Sequence, residues 1–220
     1  MSLFQRLKAA AGDDWRDYVE HGFVRGMADG TLPERAFRHY LVQDYLFLTH
    51  FARAYALAVY KSGSLAEMRA AGEVMNGILD TEMKLHVDYC AGFGITPEEM
   101  ERAPEDVATM AYTRYVLEVG LQGDVLDLHA ALSPCVIGYG EIGRRLADDP
   151  ATKREGNPYL SWIGMYAGQE YQEVMQGALA HLDRLGEQRL TEARFDRLAT
   201  VFAQATRLES AFWQMGLDAA

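Results

Sequence analysis

Basic residues are scarce in this chain of 220 residues: 21 Lys and Arg stand against 32 Asp and Glu, a net charge of -11. Phosphate backbones are bound by clustered Lys and Arg, so a nucleic-acid partner is not expected. Cysteine is scarcer still, with only Cys90 and Cys135. Two thiols make no disulfide framework, and there is no CxxC or Cys/His cluster of zinc type. No apolar run approaches the roughly 20 residues of a membrane span. The N-terminal Met-Ser-Leu-Phe-Gln-Arg-Leu-Lys lacks the apolar core of a signal peptide. Free thiols and ten methionines suit a reducing compartment, so a cytoplasmic location is expected. Proline is limited to six residues, and Pro33, Pro97, Pro104, Pro150 and Pro158 fall at boundaries between periodic segments. Repeats, low-complexity tracts, linkers and sustained strand-like alternation are absent. With 49% hydrophobic residues, the chain reads as one all-helical domain over residues 1–220.

Hydrophobic periodicity predicts the helices. Residues 3–28 form two or three short ones. Pro33 opens a long helix at its first position and runs to Tyr60, with an inward stripe of Phe37, Tyr40, Leu41, Asp44, Leu48, Phe51 and Tyr55. A third runs from Leu65 to Tyr89, with Met75, Ile78, Leu79, Glu82, Leu85, His86 and Tyr89 inward. A fourth covers 106–120 and includes Tyr112. The fifth, Asp124 to Ala147, carries Val125, Leu128, Leu132, Cys135 or Val136, Tyr139, Ile142 and Leu146, and Pro134 should kink it. The sixth, 157–183, carries Tyr159, Trp162, Ile163, Tyr166, Glu170 and Val174. Thr191 caps the seventh, whose stripe is Phe195, Leu198, Phe202, Ala205, Glu209 and Phe212.

Several of those stripes contain the wrong chemistry for a plain core. Asp44, Glu82, Cys135 and Glu209 each occupy an apolar face of a different helix. A lone buried carboxylate costs several kcal/mol, so three of them and a thiol on four helices point to convergence around a shared cavity. For Asp44 alone, pairing with an arginine weighs as much as function. Glu82 and His86, four apart, permit metal ligation or a carboxylate–imidazole hydrogen bond; without matching ligands the second is favoured. Cys90 reads as incidental, at a fraying helix end. Tyr112, Tyr139 and Tyr166 accompany the acids, and an aromatic-walled pocket with acceptor carboxylates suits a flat ligand bearing N–H donors or positive charge. A thiolate attacks electron-poor carbon, and carboxylic acids protonate leaving groups.

The segments Asp29-Gly-Thr-Leu-Pro33, Gln43-Asp44, Leu48-Thr-His-Phe51, Glu82-Met-Lys-Leu-His86, Leu132-Ser-Pro-Cys135, Trp162-Ile-Gly-Met-Tyr166 and Glu209-Ser-Ala-Phe-Trp-Gln-Met215 resemble, in order, those of the TenA/thiaminase II family. The resemblance implies an all-α helical bundle of the haem-oxygenase-like type, assembled as a homotetramer. It implies an aminopyrimidine aminohydrolase of thiamine salvage, which converts 4-amino-5-aminomethyl-2-methylpyrimidine to the hydroxymethyl pyrimidine and ammonia. Thiamine cleavage would be a related, secondary activity, and no cofactor or metal is implied. By position, Cys135 is the nucleophile, Glu209 the proton donor and Asp44 the group that holds the ring. Tyr112, Tyr139 and Tyr166 line the pocket, and Glu82 orients neighbours from behind. Phe47 departs from the family pattern, which carries a tyrosine there. A metal or haem enzyme on the same fold, with His21 as the candidate axial ligand, and a non-catalytic pyrimidine-binding or regulatory protein are the competing readings.

Overall fold

The computed structural model describes residues 1–220. They form twelve α-helices and one π turn, with no strand: α1 (Leu3–Ala11), α2 (Asp13–Val19), α3 (Gly22–Asp29), α4 (Glu34–Lys61), α5 (Leu65–Asn76), the π turn (Gly77–Glu82), α6 (Met83–Ala91), α7 (Pro97–Arg102), α8 (Val107–Gln122), α9 (Val125–Asp148), α10 (Leu160–Ala167), α11 (Gln169–Arg189) and α12 (Glu192–Asp218).

Local chemistry sets most of the helix ends. Ser2 with Gln5, Ser64 with Glu67 and Asp124 with Asp127 form capping boxes that satisfy the free N–H groups of α1, α5 and α9. Arg194 of α12 bonds both Asp124 and Asp127 at 3.0 Å, so the α9 cap also ties the last helix to the bundle. Gly30 ends α3 in the left-handed region at φ 68°, where a side chain would be strained. Two expected caps differ in detail. Pro33 precedes α4 as its N-cap rather than opening it, and the Thr191 side chain makes no capping bond at α12.

Helix α9 lies at the centre. It packs against α8, α10, α11 and α12 and also touches α2 and α4. Its predicted stripe holds: Val125, Leu128, Leu132, Val136, Tyr139, Ile142 and Leu146 are all buried. The helix runs unbroken through Pro134, whose carbonyl accepts the Tyr18 hydroxyl at 3.2 Å. One contiguous cluster of buried residues extends from Leu3 to Met215, so both ends of the chain share the core. Trp213 stands within it, with Phe23 at 4.9 Å and Tyr40 and Tyr139 at 5.2 Å between ring centroids.

Two predicted helices are interrupted, and each interruption rotates a face. The expected helix from Leu65 to Tyr89 contains the π turn. A π turn advances the chain by about one extra residue and shifts the side-chain phase beyond it. Leu79 and Leu85, expected inside, are 50% and 57% exposed. The expected helix over 157–183 breaks at Gly168, which is extended at ψ 153°. Val174 is therefore 57% exposed, while Tyr171 and Met175 turn toward the core. Cys90, expected at a fraying end, is fully buried in α6. Leu65, Met68, Val74, Leu79 and Leu85 are exposed along α5, the π turn and α6, and Val74 and Leu85 among them stand at the cavity mouth described below.

Candidate active site

Six of the eight residues selected from the sequence line a single cavity of about 480 Å³: Asp44 and Phe47 from α4, Glu82 from the π turn, Cys135 and Tyr139 from α9 and Tyr166 from α10. The other two, Tyr112 and Glu209, are buried outside the lining. Tyr112 packs on Phe47 at 5.2 Å between ring centroids, so it stands behind the wall rather than in it. Its hydroxyl donates to Glu209 Oε1 at 2.8 Å. Most of the wall is apolar or aromatic, with Tyr40, Leu48, Phe51, Tyr55 and Trp162 among its members. Tyr139, Trp162 and Tyr166 pack as a group, with centroids 4.5 to 5.8 Å apart. Such a slot accepts a flat ring by stacking.

Glu82 reaches the cavity because it closes the π turn, which contributes Gly77, Ile78 and Thr81 to the same wall. Insertions of this kind recur at functional sites because they re-aim side chains without ending the helix. The expected Glu82–His86 hydrogen bond does not form. His86 instead donates from Nε2 to the Leu41 carbonyl at 2.9 Å and holds Nδ1 3.5 Å from Asp44 Oδ2. The arginine weighed as a partner for Asp44 is absent, and this histidine stands there. Burial holds the His86 pKa below its usual value, so it is a neutral neighbour.

Burial dominates the electrostatics. It raises the carboxyl of Asp44 to about 7. Glu82 is pushed to about 7 by burial and then by the nearby Asp44 charge. Glu209 is raised to about 8 by burial; the Tyr112 hydrogen bond pulls it down and Asp44 pushes it up. The Cys135 thiol is raised well above its ordinary value by burial, with Glu209, Asp44 and Glu82 adding in that order. Glu209 is thus near enough to the sulfur to act on it electrostatically, although it does not line the cavity. At neutral pH the site holds a protonated thiol, a protonated Glu209 and two carboxyls close to half-ionised. Groups poised near neutrality are suited to moving protons.

Sequence reasoning missed two phenols. Tyr18 donates to the Pro134 carbonyl and Tyr171 to the Val136 carbonyl at 3.1 Å, gripping the turn of α9 that bears Cys135. Gly138 makes the first contact possible, since a Cβ there would lie 2.4 Å from a Tyr18 ring carbon. Tyr171 was concealed by the assumed continuity across Gly168. The candidate axial ligand His21 is not in the cavity; it caps α3, accepting from the Phe23 N–H at 3.2 Å.

Comparison with known proteins agrees with this architecture. The chain is 36% identical over 219 residues to an aminopyrimidine aminohydrolase from Halalkalibacterium halodurans, covering 99% of this chain and 96% of that one. A crystal structure described as a TenA family transcription regulator, from a Silicibacter species, superimposes with a TM-score of 0.93 at 47% identity, covering 98% of this chain and 96% of that one. A Shewanella denitrificans domain of unknown function with a haem-oxygenase-like fold superimposes at 0.72 with 13% identity, covering 98% of this chain and 92% of that one, which speaks to the fold alone. Residues 9–219 match the TENA/THI-4/PQQC family. This helical bundle, matched over residues 9–219, belongs to the TENA/THI-4/PQQC family.

Proposed function

We propose that the protein is an aminopyrimidine aminohydrolase of thiamine salvage, hydrolysing 4-amino-5-aminomethyl-2-methylpyrimidine to the hydroxymethyl pyrimidine and ammonia, with thiamine cleavage as a secondary activity. The observation that carries this reading is the meeting of Asp44, Glu82 and Cys135, from three segments of the chain, in one aromatic-walled cavity. The aminohydrolase name of a 36% identical relative of nearly equal length supports it.

Asp44 holds the ring. A carboxyl that titrates at about 7 presents an acceptor for the 4-amino group and, when protonated, a donor for the adjacent ring nitrogen. Tyr139 and Tyr166 flank the ring. The Cys135 sulfur bonds to the ring carbon next to the one that bears the aminomethyl group, and its proton passes to a cavity carboxylate. Glu82, which lines the same cavity, takes it. The displaced ring electrons form a double bond to the exocyclic methylene as the carbon–nitrogen bond breaks. Glu209, in its acid form, passes its proton to the departing neutral amine, which leaves as ammonia with the bonding pair, and Glu209 becomes a carboxylate. Water then adds to the methylene and hands a proton to the Glu209 carboxylate. The electron pair returns to the ring, the carbon–sulfur bond breaks, and the sulfur recovers its proton from Glu82. Thiol, acids and aromatic ring are all restored.

Activation of the thiol falls to this carboxylate because Phe47, in the wall, has no hydroxyl to offer. The reading treats residues 1–220 as one domain in the cytoplasm. It also takes the assembly as a homotetramer, which light scattering would report as about four times the chain mass of 24.6 kDa. The deciding experiment supplies the aminomethyl pyrimidine to purified protein and follows ammonia and the hydroxymethyl product. Stoichiometric release of both is the expected result. Tight binding without release would make the protein a pyrimidine-binding or regulatory one.

A further inference from the structure

The cavity is one-sided in charge from floor to rim. Its lining includes Asp44, Glu82 and Glu170 but no Lys or Arg, and its only imidazole, His86, is held neutral by burial. The mechanism above uses the first two acids and leaves Glu170 without a task. Glu170 is exposed on the first turn of α11. Its polar neighbours are engaged elsewhere: Gln169 Nε2 donates to Glu173 Oε1 at 2.8 Å, and the Tyr171 hydroxyl donates to the Val136 carbonyl. Around Glu170 the rim is apolar and open to solvent, with Val74, Leu85, Met165 and Val174 between 43% and 57% exposed. A single unpaired carboxylate in such a ring meets no competing counter-charge.

We propose that Glu170 is a specificity-determining residue that sets the charge of what the cavity admits, favouring aminopyrimidines with a cationic substituent and disfavouring their phosphorylated counterparts. The proposal rests on the aminopyrimidine reading. With no basic side chain in the lining, a phosphate group would find no partner inside. It would also meet a carboxylate on entry. An ammonium or quaternary nitrogen is attracted at the same point, and a substituent too large for the cavity would project past Glu170.

Three ligands that share one ring separate charge from shape: the aminomethyl pyrimidine as cation, the hydroxymethyl pyrimidine as neutral molecule and its phosphate monoester as anion. Their dissociation constants are measured by calorimetry in a Cys135→Ser background, which stops turnover. Added Glu170→Gln is expected to weaken the cation about three-fold, tighten the phosphate ester about three-fold and leave the neutral alcohol within experimental error, the size of effect one exposed charge carries. Added Glu170→Lys should exceed both changes in the same directions. Glu173→Gln, the same charge change one turn away and outside the cavity lining, should alter none of the three. Raising ionic strength from about 0.01 M to 1 M shortens the screening length from about 30 Å to 3 Å and should erase the difference that Glu170→Gln makes. Constants that stay fixed, or that all shift together, would overturn the charge-selection proposal while leaving the aminopyrimidine reading intact. Failure of every ligand to bind the protein that retains Glu170 would overturn both.

Discussion

Nδ1 of His86 lies 3.5 Å from Oδ2 of Asp44, too far for a hydrogen bond, while Nε2 donates to the Leu41 carbonyl. This arrangement leaves Asp44 without a permanent cation. Its carboxyl remains buried, close to half-protonated and available to a ligand. A firm arginine partner would have pulled its pKa down and occupied its oxygens. The site therefore carries a folding cost at Asp44, in exchange for a group that can both donate and accept.

That cost has a sign in pH. Asp44 and Glu82 titrate at about 7 and Glu209 at about 8 in the folded chain, against roughly 4 for unfolded carboxyls. Between these limits the folded state binds more protons than the unfolded one. The contribution of these groups is complete below about pH 4 and is lost as pH rises through 7 to 8. Asp44→Asn removes one such group, so melting temperature should fall less between pH 5.5 and 8.5 than in the parent. The difference should be about 5 °C, measured by calorimetry at constant ionic strength.

The proposed reaction uses Glu209 as its acid, so activity should decline as pH climbs past about 8. The hydrogen bond from Tyr112 lowers the Glu209 pKa. Tyr112→Phe removes it, and the alkaline limb of the kcat profile should move to higher pH. A limb that stays in place, or moves lower, would show that another group sets it.

Cys135→Ser should reduce kcat by about 1,000-fold or more, because a hydroxyl at this position has no comparable nucleophilicity. Binding of the hydroxymethyl pyrimidine and the melting temperature should change little, since oxygen replaces sulfur with little loss of volume. Near-parent activity in this variant would refute the nucleophile assignment.

Gly138→Ala should force Tyr18 away from α9, because the new Cβ would lie 2.4 and 2.6 Å from a ring carbon and the hydroxyl oxygen. Overpacking of this kind costs about 1–3 kcal/mol. Tyr18→Phe, which keeps the ring and loses only the bond to the Pro134 carbonyl, should cost about 1 kcal/mol. Urea unfolding of both variants checks the order.

The sequence alone carried a good deal of this. In α4, α9 and α12, uninterrupted helices, a period of 3.6 residues placed Asp44, Cys135, Tyr139 and Glu209 on inward faces, and the structure finds them there or buried close by. The scarcity of proline and the absence of strand-like alternation determined the all-helical class. Phase was lost where a helix was broken, and also in the unbroken α8, where Ala111 was expected inside but is exposed and Thr109, Thr113 and Val116 are buried instead. The π turn rotated Leu79 and Leu85 outward, and Gly168 exchanged Val174 for Tyr171. Periodicity assumes constant winding, so one extra residue or one extended glycine defeats it.

Partnerships across helices belonged to tertiary structure alone. Spacing of four residues allowed Glu82 and His86 to pair, yet packing of α6 against α4 brought Asp44 to the imidazole instead. Spacing likewise could not tell that Glu209 would sit behind the cavity wall under Tyr112, or that the rim would carry an unpaired Glu170 among exposed apolar side chains. A sequence specifies which face of a helix is apolar, because that is a local property of its winding. Which groups meet, and which remain unpaired, depends on how separate helices dock, and that is decided by packing across the whole chain.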